Sequence, residues 1–144
     1  MPNPRNVISF EEVDVRYRTF IIDNATITFD ATKAYGSASA GVKLAVSLSG
    51  NGTVQLASDG EAIVGRLEKV EADLKCTVSV GGCLGFKKGN AATVTRGTAI
   101  VGALGAAAAK GYIRSAASAT AAELILCRGQ IYDNADDNNV VVEL

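Results

Sequence analysis

The chain has 144 residues, a formal net charge of −1 from 14 basic and 15 acidic side chains, and no histidine. A charge this close to zero gives no strong field for nucleic acid or an anionic membrane, and without histidine the commonest general base and metal ligand is missing. Hydrophobic residues make up 48% of the chain. The length fits one domain over residues 1–144. Because many of the hydrophobic residues are small, we expect its core to be thin and to be completed by oligomerisation.

The first twelve residues predict an extended N-terminal arm that gains structure when a partner binds it. Two prolines and two asparagines precede its short apolar stretch Val7-Ile8-Ser9-Phe10. This stretch is too short for a signal peptide, and no segment of the chain reaches the length of a membrane span. We therefore expect a protein that is made in the cytoplasm and stays there unless lysis releases it.

The first strand is predicted from the alternating segment 13–22, which carries Asp14, Arg16 and Arg18 on one side together with Phe20. The Asp-Asn pair at 23–24 predicts a turn, and residues 26–29 predict a short second strand. Residues 30–41 are rich in alanine, serine and glycine. They predict a loop or a weak helical turn.

A β-hairpin is predicted around Asn51-Gly52, which separates the alternating segments 42–48 and 53–57. The next segment, residues 60–86, predicts two strands joined by an acidic turn and ended by Gly81-Gly82. Its period of two assigns one set of side chains to the core: Leu74, Cys76, Val78 and Val80.

The last third of the chain predicts further short strands. Residues 93–104 are β-branched and apolar, residues 124–131 form an apolar strand broken at Arg128-Gly129, and residues 140–144 form a final strand paired inside a sheet. The alanine run 106–109 is too short to nucleate a helix, so we expect a loop tip or a single turn. Residues 115–123 predict either one short helix or an extended loop.

Together these elements predict an all-β fold, a small barrel or sandwich of about nine to eleven short antiparallel strands with an extended N-terminal arm. Turn signals recur every ~8–12 residues, and helical periodicity is almost absent.

The residues that could carry chemistry favour structural roles. The three cysteines, Cys76, Cys83 and Cys127, form no CxxC pair and predict buried free thiols, although a zinc site could combine all three with a carboxylate. The carboxylates in segments 68–73 and 133–137 match no calcium loop and are typical of turns. The glycines at 81–85 precede no helix that could bind phosphate. We therefore predict no catalytic, cofactor or metal site.

One enzyme alternative comes from the segment Val13-Asp14-Val15-Arg16-Tyr17-Arg18. It looks like one motif of the trimeric dUTP pyrophosphatases, which are also small all-β proteins. In that family an aspartate and a tyrosine lie near the deoxyuridine. The other motifs of the family, including its C-terminal glycine-rich arm, are not found in this sequence.

A broader resemblance runs from Asp59 to the C-terminus. The order of features is similar to the small capsid decoration proteins of tailed bacteriophages, also called cement or head-stabilising proteins. The matching features are the strand led by Asp59-Gly60, the CTVSVGG strand at 76–82, the lysine-containing turn at 84–88, the Arg-Gly-Thr entry at 96–98, the glycine-led return at 111–113, and the closing RGQI strand, acidic turn and VVVEL strand over 128–144.

This resemblance implies a non-enzymatic virion protein on the capsid exterior, without cofactor, nucleic acid or membrane. It implies a homotrimer that clamps neighbouring major capsid subunits. The candidate capsid contacts are Arg5 and Phe10 of the arm and Arg16, Tyr17 and Arg18 of the first strand. The alternative for the last three is an ordinary solvated strand face. The alternative function is a generic β-rich binding module, such as a tail or fibre accessory domain.

Overall fold

A computed structural model describes residues 13–37, 43–117 and 120–144, and these residues form a mostly β structure. Its strands are β1 (Arg16–Ile22), β2 (Ala45–Gly50), β3 (Thr53–Leu56), β4 (Gly65–Val70), β5 (Lys75–Gly81), β6 (Cys83–Phe86), β7 (Ile100–Ala103), β8 (Tyr112–Ser115), β9 (Gln130–Asp133) and β10 (Val140–Glu143). One short helix, α1 (Ala121–Leu126), precedes β9. The predicted all-β class is confirmed. The predicted N-terminal arm, residues 1–12, lies outside the described residues.

Five strands close into a small barrel in the order β1-β3-β2-β4-β5. The neighbours are antiparallel except β1 and β3, which run parallel and pair only at Ile21 with Thr53 and Ile22 with Val54. The barrel is therefore closed by a very short contact. Its interior is filled by aliphatic side chains and one thiol: Ile22, Ile27, Leu44, Val46, Val54, Leu56, Leu67, Val70, Cys76 and Val78.

Both strand pairs that the sequence predicts most clearly are found in the barrel. Strands β2 and β3 form the hairpin around Asn51-Gly52, where Gly52 takes the left-handed backbone conformation that this turn needs (φ +67°). Strands β4 and β5 pair across the acidic turn at 71–74. Leu74 departs from the predicted core set because it lies in that turn with φ +64°, where its side chain is 43% exposed.

Two smaller sheets pack against the barrel. One has the order β6-β10-β9 and the other pairs β7 with β8. Strand β10 is bonded on both sides, which confirms the prediction that the last strand lies inside a sheet. A second core joins these sheets to barrel residues Ala45 and Ala57, and its largest members are Ile63, Leu84, Phe86, Ile100, Ile113, Ile131, Val140 and Val142.

The second core also explains why polar residues on the outer face of the barrel are buried. Arg66 is 4% exposed; its Nε pairs with Glu68 Oε1 at 2.7 Å and its Nη1 donates to the Gly85 carbonyl at 3.2 Å. Ser79 is fully buried and donates its hydroxyl to Glu68 at 2.5 Å. These bonds satisfy polar groups that the packed sheets remove from water.

The predicted strand at 26–29 is wrong. The Asp23 carboxylate accepts backbone N–H bonds from Thr26 at 3.0 Å and Ile27 at 2.9 Å, so the chain curls around Asp23 instead of extending. Only an isolated bridge between Phe29 and Ser37 remains. Partial burial alone would raise the pKa of Asp23, but the hydrogen bonds together outweigh it and lower the pKa.

The predicted strand at 124–131 is also wrong over its first half. Residues 124–126 end helix α1, and β9 begins only at Gln130. The Leu124 N–H bonds the Thr120 carbonyl at 3.1 Å and the Cys127 N–H bonds the Glu123 carbonyl at 2.7 Å, which closes one helical turn. Within 115–123, this outcome favours the short-helix alternative.

Two other predictions in this region are refined. The strand predicted over 93–104 is reduced to β7, because residues 93–99 form no strand and the chain turns at Arg96-Gly97. The alanine run holds a single 3-10 turn at Ala106–Ala108, in agreement with the predicted loop tip or single turn.

Candidate functional site

Strand β1 carries the three described residues among the predicted contacts. It pairs with β5 from Arg16 to Ile21, with Arg18 opposite Val78 and Phe20 opposite Cys76. Since paired residues share a face of the sheet, Arg18 and Phe20 lie on the barrel side. Tyr17, Thr19 and Ile21 lie on the outer side.

The outer side of β1 is open to solvent, although it carries large apolar groups. Tyr17 is 53% exposed and Ile21 is 51% exposed. Of the seven residues of β1, only Ile22 is fully buried. The structure thus brings Arg16, Tyr17 and Arg18 together on one exposed strand. Predicted contacts Arg5 and Phe10 lie outside the described residues.

The guanidinium groups near β1 form a basic region. Arg16 covers Gly81 of β5 so closely that a Cβ there would lie 2.3 Å from Nη2. Arg18 Nη1 donates to the Tyr17 carbonyl at 2.9 Å. Arg128 donates to the carbonyls of Val64 (2.6 Å) and Val80, and burial, aided by the nearby charge of Arg16, lowers its pKa. None of the ion pairs found within the described ranges involves Arg16 or Arg18.

A cleft of about 440 Å³ lies beside this region and is lined by Asp14, Val15, Arg16, Gly82, Glu143 and Leu144. The Tyr132 hydroxyl donates to the Glu143 carboxylate, which raises the pKa of the phenol. Near these groups the pKa of Cys83 is raised by burial and by the charges of Glu143 and Asp14. The Cys83 thiol is therefore held protonated at neutral pH and is a poor nucleophile.

The other cysteines have structural surroundings. Cys76 is buried in the barrel core, and desolvation raises its pKa to about 11. Cys127 is partly buried and its thiol donates to the Leu124 carbonyl at 3.3 Å. All three thiols are free, in agreement with the predicted absence of a disulfide framework, but only Cys76 and Cys83 are buried.

The two acidic turns use their carboxylates locally. In the first turn, Glu71 pairs with Lys69 and Asp73 with Lys75. In the last turn, Asp136 accepts the Asn138 N–H at 2.9 Å, and Asp137 pairs with Lys88. Across residues 13–37, 43–117 and 120–144, no group of three or more histidine, cysteine or acidic side chains is arranged to hold a metal ion.

Sequence reasoning missed an exposed apolar cluster on α1, which we call the α1 patch. It consists of Leu124, Ile125, Leu126 and, across a depression of about 300 Å³ that Leu126 also lines, Leu48 of β2. Ile125 is 81% exposed and Leu48 is 57% exposed. The apolar character of 124–126 was visible in the sequence, but it predicted a buried strand.

An ion-pair network fixes α1 in place. Glu123 binds Arg114 of β8 through both carboxylate oxygens, and it accepts the Ala117 N–H at 2.8 Å. Arg114 also pairs with Asp59 at 2.9 Å. Hydrogen bonding to Arg114 is the main reason that the pKa of Glu123 falls to about 2. The α1 patch therefore lies on a helix that is held against the β7–β8 sheet.

Two findings bear on membranes and relatives. In the part of the chain that the structure describes, no helix has the length and apolar character to cross a membrane. No protein-family model matches the sequence, and no curated protein or solved structure is significantly similar to it.

Proposed function

We propose that this chain is a capsid decoration protein, a non-enzymatic virion protein that binds the outer surface of a tailed-bacteriophage capsid and clamps neighbouring major capsid subunits. The observation that carries the proposal is the exposed strand β1. It presents Arg16, Tyr17 and Arg18, all of them exposed, on a barrel strand of which only Ile22 is fully buried. Exposed arginine and tyrosine side chains on the two faces of one strand suit protein binding, because both residue types are enriched in interfaces.

The proposed homotrimer is supported by the α1 patch. Single exposed apolar residues are common, but several large ones grouped on a fixed element mark an association surface. The α1 patch groups four, and the ion pairs of Glu123 hold the helix that carries three of them. We propose that copies of the chain meet there.

The function is tested by mixing the purified protein with expanded capsids that lack it, assembled from the major capsid protein of the same virus. We expect saturable co-sedimentation. Absence of co-sedimentation would favour the generic binding module instead, and turnover of dUTP in a parallel assay would favour the pyrophosphatase alternative.

The contact residues are tested with the double variant Arg16→Ala and Arg18→Ala. We expect lower capsid occupancy at the same protein concentration. The matched control is Lys69→Ala with Lys75→Ala, which removes the same charge from two exposed barrel side chains away from the N-terminal half of β1. Equal occupancy for both double variants would show that residues 16 and 18 form an ordinary solvated face.

A further inference from the structure

We propose that the outer edge of β1, from Tyr17 to Thr19, accepts an extended acidic segment of another protein as an added strand. The geometry of β1 alone indicates the acceptor site. Naming the major capsid subunit as the protein that donates the segment rests on the proposed function.

The main chain of β1 alternates between two directions. The Ile22 N–H bonds the Leu74 carbonyl at 3.0 Å on the β5 side, whereas the N–H groups of Ile21 and Asp23 bond the carbonyls of Gly52 (2.9 Å) and Val54 (3.0 Å) on the β3 side. In an antiparallel ladder this alternation continues along the strand. The N–H groups of Tyr17 and Thr19 and the Thr19 carbonyl therefore point away from β5.

No strand in the described part of the chain pairs with this edge before Ile21. The β2–β3 hairpin turns at residues 50–52, beside Ile21, so β3 reaches only the last two residues of β1. The first half of β1 extends past the hairpin with one side bonded to β5 and the other side unpaired by any strand of residues 13–37, 43–117 and 120–144. An exposed strand edge of this kind is a template for strand addition.

Strands β8 and β9 of the two smaller sheets differ from β1, because loops form hydrogen bonds to their outer edges. In β8, Ile113 donates its N–H to the Lys87 carbonyl at 3.0 Å and accepts the Gly89 N–H at 2.9 Å. In β9, Ile131 donates to Thr98 at 2.9 Å and accepts the Gly97 N–H at 2.8 Å. The open edge of β1 is thus a local feature and not a general property of this fold.

The charges that β1 itself carries favour one kind of partner. Arg16 and Arg18 flank Tyr17, and neither takes part in an ion pair within the described residues. Pairing two copies through their β1 edges would bring four guanidinium groups together, which like-charge repulsion disfavours. A segment with carboxylates at alternate positions would instead pair with these arginines. The edge therefore favours an acidic strand from a different protein.

The edge is tested with two short synthetic peptides that alternate threonine or valine with either glutamate or lysine. Binding to the full chain is followed by amide NMR and by hydrogen exchange of the Tyr17 and Thr19 N–H groups. We expect the acidic peptide to bind, to slow exchange at both amides, and to weaken with added salt. Equal binding of both peptides, or no binding, would overturn the inference.

The variant Thr19→Pro removes the outward N–H without breaking the ladder to β5, since proline is tolerated where a strand N–H faces solvent. We expect about tenfold weaker binding of the acidic peptide. The control Thr19→Val keeps the N–H and should bind as the wild type does. Equal affinity for the two variants would contradict main-chain recognition. If Thr19→Pro does not fold, the exchange measurement on the wild type decides.

The same variants on capsids separate the two proposals. If Thr19→Pro occupies capsids less than the wild type does while Thr19→Val occupies them equally, a capsid strand on β1 is supported. If Thr19→Pro occupies capsids as fully as the wild type does, the capsid subunit is not the donor of the strand, and the decoration role is unaffected. Peptide binding without any capsid binding would overturn the decoration role and leave the acceptor edge.

Discussion

The Glu123 carboxylate ties helix α1 to β8 and, through Arg114, to the turn between β3 and β4. It binds Arg114 of β8 and the Ala117 N–H, and Arg114 in turn binds Asp59 in the turn that precedes β4. Because these bonds stabilise the charged form, the pKa of Glu123 is lowered from 4.5 to about 2 in the folded state. Protonation of this one group therefore opposes folding.

The stability of the fold should depend on pH through Glu123. The contribution of Glu123 to the free energy of unfolding is fully present above pH 4.5 and is lost as the pH falls toward 2, since the unfolded state binds the proton first. Thermal unfolding of the wild type and Glu123→Gln should therefore differ most near neutral pH and converge in acid. Asp23, Asp30 and Glu61 also have lowered pKa values and provide a background common to both proteins. A difference that does not change with pH would contradict this role.

A second prediction at the residue scale concerns Gly65 at the start of β4. A Cβ at this position would lie 2.1 Å from the Ser79 carbonyl oxygen and 2.8 Å from Val78 Cγ1, so the two strands must separate to admit it. We expect Gly65→Ala to lower the free energy of unfolding in urea by about 1–3 kcal/mol. The control is Gly50→Ala, where the nearest atom is Thr53 Cβ at 3.8 Å. Equal stability of the two variants would contradict the tight β4–β5 contact.

At the scale of elements, α1 is a surface helix whose apolar side chains are not packed into either core. Ile125 is 81% exposed, so its replacement removes little packing within one copy. We expect Ile125→Ser to change the unfolding free energy by no more than about 0.5 kcal/mol and to weaken self-association, as measured by light scattering. The control Leu74→Ser alters another exposed aliphatic side chain (43%) outside the α1 patch. If Ile125→Ser leaves the oligomer unchanged, copies do not meet at α1.

Several elements could be predicted from sequence because local chemistry determines them. The Asn51-Gly52 turn is favoured by its own backbone preferences, and β4 and β5 follow the period of two on either side of an acidic turn. Strand β10 begins with three buried valines and needs pairing on both sides. For these elements the local pattern and the final packing agree.

Other elements depend on contacts distant in sequence. Residues 124–126 are apolar enough for a strand, but the Arg114–Glu123 pair and the bonds to Thr120 and Glu123 stabilise a helical turn. Residues 26–29 are β-prone, but the Asp23 carboxylate captures their backbone. Sequence placed Arg16, Tyr17 and Arg18 on one strand. Which edge of that strand stays open depends on where the β2–β3 hairpin ends, and periodicity does not carry that information.

At the scale of the whole molecule, the two cores lock the barrel to its outer sheets, and the first half of β1 and the α1 patch are exposed surfaces of the described residues. They lie on different elements, so one surface can contact a capsid while the other contacts further copies of the chain. This division predicts that Ile125→Ser lowers capsid occupancy only by reducing oligomerisation, whereas Arg16→Ala with Arg18→Ala lowers it without changing the oligomer. Light scattering measures the oligomer and co-sedimentation measures capsid occupancy in the same samples. Loss of both oligomerisation and occupancy in both variants would contradict this prediction.

The measurement that tests the account most directly is the temperature at which expanded capsids rupture, with and without saturating wild-type protein. A protein that binds only the intact lattice stabilises it by mass action, so the rupture temperature should rise with protein concentration and then level off. The double variant at Arg16 and Arg18 should need a higher concentration for the same effect. A rupture temperature that does not change at any concentration of the wild-type protein would contradict the decoration role.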